Sequence, residues 1–217
     1  MVGVWPLAVG LALALQLGCS DDDRPTSDPL FSISGHVVVQ GTLRSIDGES
    51  LGTRTISDAD GLPVYLATAG TPRESTTTVD GRYEFSGLAP GSYRAFSIIG
   101  RVVADTTEAL VISMADVATQ DTLRLRPVGD VDVAPNPFST GLRAEYALPA
   151  TDSAFVFVTG LAGVQVRSLV RDVVGAGRRE VQWDGLDENN EPVPAGAYWM
   201  MVVQGDTRGA DLAIKEP

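Results

Sequence analysis

From residue 31 onward, apolar side chains recur at every second position in short runs, and turn pairs such as Asp-Gly and Pro-Gly separate the runs. Phe31, Ile33, Val37 and Val39 share one side of an extended segment, and Ser32, Ser34, His36 and Val38 share the other. A period of two puts one face of a strand on a core and the other in water. The pattern returns in Arg82-Tyr83-Glu84-Phe85 after Asp80-Gly81, in Tyr93 and Ala95 after Pro90-Gly91, and in Leu123-Arg124-Leu125-Arg126. In the second half Ala144, Tyr146 and Leu148 alternate with Arg143 and Glu145, and Val181 and Trp183 with Glu180 and Gln182. No stretch of three turns carries helical spacing. The pattern predicts an all-β chain, with two antiparallel β-sandwich domains in tandem over 31–127 and 128–217 and a hinge at Val128–Asp132.

Residues 1–18 differ. They carry no charged side chain and end at Cys19, which Ser20 and three aspartates follow. A spanning helix needs about 20 apolar residues, so this stretch suits the core of a signal peptide. Leu17-Gly18-Cys19 resembles a bacterial lipobox, in which small residues precede a cysteine that takes a diacylglycerol and becomes the mature N-terminus. That resemblance implies lipidation of Cys19 and attachment to a membrane through the lipid, in the cell envelope at the outer membrane or cell surface. An ordinary cleaved signal, giving a secreted protein, and an uncleaved anchor helix are the alternatives. Residues 19–30, acidic and with two prolines, read as the lipidated cysteine and a solvated tether.

Two further resemblances lie in the sandwiches. GLPVYL (61–66) and TTTVDGRYEFSGLAPGSYRAF (76–96) resemble a carboxypeptidase regulatory-like domain, a prealbumin-like sandwich, matching at Tyr83, Phe85, Leu88, Pro90, Gly91 and Tyr93. The resemblance implies a non-catalytic accessory module, in some cases suspected of carbohydrate binding. Residues 40–60 exceed the family's connection, and the Asp-Gly pairs at 47–48 and 60–61 predict an extra hairpin. In the second half PNPF (135–138), YALP (146–149), GVQVRSL (163–169), WDGLD (183–187) and VPAGAY (193–198) resemble the FlgD-type Ig-like domains, also known as type IX secretion type A sorting domains. Asn190 stands at a usual glycine position, and asparagine tolerates the positive φ that this turn needs.

The charge balance of −12 argues against a nucleic-acid partner. One cysteine excludes an internal disulfide, and with one histidine it excludes the common zinc clusters. A Ser-His-Asp site would need His36, which sits on a mostly polar strand face as a solvated histidine. Asp58-Ala59-Asp60-Gly61 and the pair Asp184 and Asp187 lack the distal bidentate glutamate of a calcium loop and read as turns. No catalytic, cofactor-binding or metal-binding residue is assigned, and no enzymatic activity is expected.

One feature departs from half-buried strands. Over 197–203 both faces are apolar, with Tyr198, Met200 and Val202 on one and Trp199, Met201 and Val203 on the other. Phe155-Val156-Phe157-Val158 behaves alike. A second apolar face needs cover. Cover by the first domain is the preferred explanation; otherwise Trp199, Met201 and Val203 form an interaction surface for a partner. The sequence therefore predicts an exported envelope protein of non-catalytic modules for surface display, sorting or adhesion. The alternative is a carbohydrate-binding accessory protein using the prealbumin-like half. The expected partners are a membrane through the lipid, and a cell-surface polysaccharide or envelope protein. Each half, at ordinary domain size, is expected to fold alone.

Overall fold

The computed structural model describes residues 30–217, so Cys19 and the tether as far as residue 29 lie outside the described residues. The described chain is all-β. Its N-terminal unit holds β1 (Phe31–Arg44), β2 (Ser50–Ile56), β3 (Pro63–Thr68), β4 (Thr71–Thr77), β5 (Arg82–Leu88), β6 (Gly91–Ile99), β7 (Val103–Thr106), β8 (Leu110–Ile112) and β9 (Val117–Leu125). Its C-terminal unit holds β10 (Val131–Ala134), β11 (Leu142–Leu148), β12 (Asp152–Gly160), β13 (Gln165–Val174), β14 (Gly177–Trp183), β15 (Gly196–Gln204) and β16 (Thr207–Lys215).

In the N-terminal unit β1 is the axis of one sheet. Ile33, Ser34 and His36 pair with both β5 and β9, which places those strands on opposite edges. Val39 pairs with both β9 and β2, so β2 continues the β5 edge. The β1–β2 pair is an extra hairpin within 40–60, turning at Asp47-Gly48, whereas Asp60-Gly61, the other pair behind that expectation, lies in the β2–β3 connection. One pairing departs from the antiparallel expectation: β9 runs parallel to β1. It returns from the other side of the sandwich, and a crossover connection lets a strand enter in the same direction as its neighbour. The second sheet orders β4-β3-β6-β7, with β8 also on β6. Ile33, Val37, Val39, Val64, Leu66, Phe85, Leu123 and Leu125 fill the space between the sheets and are almost wholly buried.

The Asp80-Gly81 signal forms the tight turn before β5. Both residues have positive φ, 48° and 70°, and Val79 and Arg82 exchange both backbone hydrogen bonds at 2.9 Å. That is the two-residue hairpin geometry whose twist matches the flanking strands. A Cβ on Gly81 would stand 1.9 Å from the Ser57 carbonyl oxygen. Gly81→Ala is therefore expected to destabilise the protein by about 1–3 kcal/mol through strain and displaced backbone. Denaturant unfolding reads this directly, and an unchanged midpoint would refute it.

The C-terminal unit packs β10-β11-β14 against β13-β12-β15-β16. Three aromatics from separate motifs meet in its core. Phe138 of PNPF and Tyr198 of VPAGAY each place a ring 5.3 Å from that of Trp183 in WDGLD. The indole N–H donates to the Leu186 carbonyl at 2.9 Å, and the Tyr198 hydroxyl donates to the Pro194 carbonyl at 2.7 Å. Each ring thereby buries its apolar body while its polar end is satisfied. Asn190 adopts φ 61°, the left-handed turn expected of it.

Segment 128–132 is pinned at both ends. Val128 exchanges two backbone hydrogen bonds with Ala210, at 2.9 and 2.8 Å, and Val131 already begins β10. No loose hinge separates the units there.

Candidate functional site

Trp199 and Met201 are fully buried, and Val203 is partly buried. They lie in the apolar cluster that also contains Ile33, Val39, Leu66 and Ile99 of the N-terminal unit, together with Ala210, Leu212 and Ile214 of β16. Tyr198, Met200 and Val202 point the other way, into the core of the C-terminal unit. Strand β15 thus has two apolar faces because it is buried twice, once in its own sandwich and once beneath its neighbour. Trp199 and Met201 are not accessible to a separate partner in this arrangement. Phe155 differs from them: it is 38 % exposed, with the Arg171 guanidinium 5.6 Å from its ring centre.

The approach of the units requires a missing side chain. A Cβ on Gly41 of β1 would lie 2.5 Å from the Leu212 Cβ, so the glycine lets β16 press against β1. Around this contact is a buried polar cluster. Arg44, at the end of β1, reaches the Asp211 carboxylate at 2.5 Å and also pairs with Asp132. Asp211 is wholly buried and accepts from the backbone N–H of Val133 at 3.1 Å and of Leu212 at 2.9 Å. Burial pushes its carboxyl up to about 6, against the lowering pull of the Val133 N–H, the Arg44 charge and the Leu212 N–H.

Asn136 completes the cluster and was not predicted. Its amide donates to the carbonyls of Thr42 and Leu212, both at 2.7 Å, and its carbonyl oxygen accepts from Ile214 N–H at 2.9 Å. Its backbone also exchanges two hydrogen bonds with Arg44, at 2.8 and 2.9 Å. One side chain thus ties backbone groups of both units. The available signal was an amide-bearing residue held between two prolines, in the PNPF motif that carried a family resemblance but no role for Asn136.

Three of the carboxylates considered for calcium, Asp60, Asp184 and Asp187, accept from nearby backbone N–H groups. Asp60 accepts from the Asp80 N–H at 2.7 Å, and Asp184 accepts from the Leu186 N–H at 3.1 Å. Asp187 accepts from Glu191 and Asn189 N–H groups at 2.9 and 2.8 Å, with the Glu191 bond leading the forces that hold its carboxyl below the usual range. No group of three potential metal ligands occurs among the described residues.

The outward face of the β1 sheet is an extended polar surface. Alternation places Ser34, His36, Val38, Gln40 and Thr42 on it from β1, Arg82 and Glu84 from β5, Thr122 and Arg124 from β9, and Thr53 and Thr55 from β2. Arg126, just past β9, donates to Gln40 Oε1 at 3.0 Å. His36 is exposed between Arg82 and Thr122, as its position on a polar face predicts. A groove of about 800 Å³ runs past Ser34, His36, Arg82 and Thr122 at one end of β1. A second, of about 650 Å³, runs past Gln40, Thr42, Thr53 and Arg126 at the other. A third groove, of about 600 Å³, is lined by Leu142, Arg143 and Arg167 of the C-terminal unit and by Ile46 of the N-terminal one. There Arg143 is already paired with Glu145 at 3.0 Å and Arg167 is bonded to Asn190 at 3.0 Å.

No family model matches the chain. No curated protein matches it. Among solved structures it is similar to a proposed carbohydrate binding protein from Bacteroides uniformis, at 10 % identity over 83 % of this chain and 97 % of that one, with a TM-score of 0.32. A DUF3823 family protein from Bacteroides ovatus is similar at 12 % identity, with 86 % and 99 % of the two chains covered and a TM-score of 0.34. The Corynebacterium diphtheriae major pilin SpaA is similar at 14 % identity, covering 80 % of this chain and 62 % of the pilin, with a TM-score of 0.32.

Proposed function

We propose that this chain is an exported, lipid-anchored protein of the bacterial cell envelope whose non-catalytic β-sandwich units display and bind. The observation that carries this reading is Cys19, the sole cysteine, standing between an uncharged apolar stretch and an acidic, proline-containing tether. The joined units suit it, since a pair held together by Arg44, Asp211 and Asn136 presents one continuous surface. Under this reading Cys19→Ala removes the acyl chains, and stable attachment needs more than one such signal. Cys19→Ala is expected to yield an unlipidated precursor and to move the mature form out of the membrane fraction. Fractionation and mass spectrometry of the N-terminus read both effects. Undiminished membrane retention of the variant would support an anchor helix instead.

A second reading, a carbohydrate-binding accessory protein using the N-terminal unit, has its own support. The outward face of the β1 sheet carries hydroxyls, an amide and guanidinium groups in register along two grooves. A flat array of such donors and acceptors suits the hydroxyl-rich edge of an extended glycan. Saturable binding on a glycan array tests it; a purely structural module gives none.

A further inference from the structure

Resting on the carbohydrate reading, we propose that the outward face of the β1 sheet binds an acidic polysaccharide, one bearing uronic-acid carboxylates, through Arg82, Arg124 and Arg126. The chain as a whole carries −12, yet this face concentrates cations. Arg82 stands across from His36, Arg124 across from Val38, and Arg126 reaches over to Gln40. Among the described residues Glu84, opposite Ser34, is the carboxylate that strand pairing places on this face. Two aspartates lie at its margins, Asp105 accepting from the Arg124 backbone N–H at 2.6 Å and Asp60 from that of Asp80 at 2.7 Å.

These arginines are exposed, and none forms an ion pair among the described residues, whereas Arg44, Arg143 and Arg178 do. The Arg124 guanidinium has one backbone carbonyl, Thr122, at 3.2 Å, and Arg126 uses only its Nε toward Gln40. Their forked N–H groups remain available for carboxylate oxygens, the geometry in which arginine binds most selectively. Strand rise sets the spacing: residues two apart lie about 7 Å from each other, and Ser34 to Thr42 spans about 27 Å. The cations therefore flank β1, Arg124 and Arg126 on the β9 side and Arg82 across β1 from them, which suits a ligand with carboxylates repeated along its length. Ser34, Thr42, Thr53 and Thr122 lie alongside for its hydroxyls. No phenylalanine, tyrosine or tryptophan side chain stands on this face among the described residues, since Tyr83 and Phe85 point into the core. Stacking on sugar rings is therefore replaced by charge as the source of selection, and the same lack of stacking platforms disfavours single-stranded nucleic acid.

The test titrates the full-length chain, in detergent micelles at low ionic strength, with oligogalacturonate and with its fully methyl-esterified form. Oligogalacturonate is expected to bind, with affinity falling as salt rises. The ester, and the Arg124→Gln/Arg126→Gln variant with oligogalacturonate, should each bind on the order of tenfold or more weakly, the scale of a lost charged hydrogen bond. Circular dichroism checks the variant's fold; if it is disturbed, Arg82→Gln and amide shift changes confined to β1, β5 and β9 decide the matter. Equal binding of acid and ester, insensitive to the arginines, would overturn the acidic ligand while the carbohydrate reading stands. Binding of neither form would remove both. Equal affinity for polyglutamate or an oligodeoxynucleotide would show a general polyanion surface and overturn the proposal.

Discussion

Replacing Arg44 by alanine is expected to lower the unfolding free energy at neutral pH by about 3–5 kcal/mol. The loss is large because Asp211 stays behind, wholly buried, with only the Val133 and Leu212 N–H groups to hold its charge. Asp132, the other partner of Arg44, is about half exposed and returns to water at little cost. The effect should depend on pH. Burial raises the Asp211 carboxyl from the ordinary 3.8 to about 6 in the folded protein. Folding therefore favours the neutral acid: its contribution is complete below about 4 and is lost as pH rises through about 6, by up to about 3 kcal/mol. Removing Arg44 withdraws a lowering influence and pushes the carboxyl higher still. Arg44→Ala should thus cost more at pH 8 than at pH 5, and adding Asp211→Asn should recover part of the loss. Urea midpoints across that pH range provide the check. A loss that is small and independent of pH would mean that Asp211 is not held as a buried charge.

Separating the units is expected to have the other large effect. A chain of residues 130–217 would bare Trp199, Met201 and Leu212, whose burial contributes about 1.5–3 kcal/mol each. The total is comparable to the net stability of a whole domain, about 5–15 kcal/mol. The fragment should therefore unfold at much lower denaturant than residues 31–217, and the longer chain should unfold in one transition. With Trp183→Phe in both, Trp199 is the only indole in either, so its emission reports the junction alone. Emission should shift to the red in the fragment at concentrations where sedimentation shows a monomer. Two separate transitions in 31–217, together with unshifted emission from the fragment, would show that each half folds alone, as domain size by itself suggests.

Much of the fold was legible from local pattern. Ile33, Val37 and Val39 recur at a period of two, and only a strand turns such a series toward one core. Asp80-Gly81 and Asn190 mark turns because few residues accept a positive φ, and both adopt it. The two apolar faces of 197–203 announced that β15 needed cover on both sides, since exposed apolar area on that scale is costly. These are properties of a residue and its near neighbours, and sequence carries them directly.

What covers Trp199, which strand lies parallel, and where charge collects were decided by tertiary structure. The parallel entry of β9 beside β1 depends on how the chain crosses between sheets, for which alternation carries no sign. Gly41 looks like a weak point in a strand until Leu212, far along the chain, occupies the space its side chain would fill. Arg44, Asp132 and Asp211 lie on three strands, and their attraction exists only once the units have brought them within a few ångströms, because Coulomb energy and desolvation depend on distance and burial. Likewise Arg82 and Arg124 come to share one sheet face only because β5 and β9 both pair with β1. By itself the sequence determined an all-β chain, its turns and the strand needing double cover, because these follow from short-range backbone and solvation preferences. The junction and the cationic face belong to the tertiary structure, because they are made of contacts between residues distant along the chain.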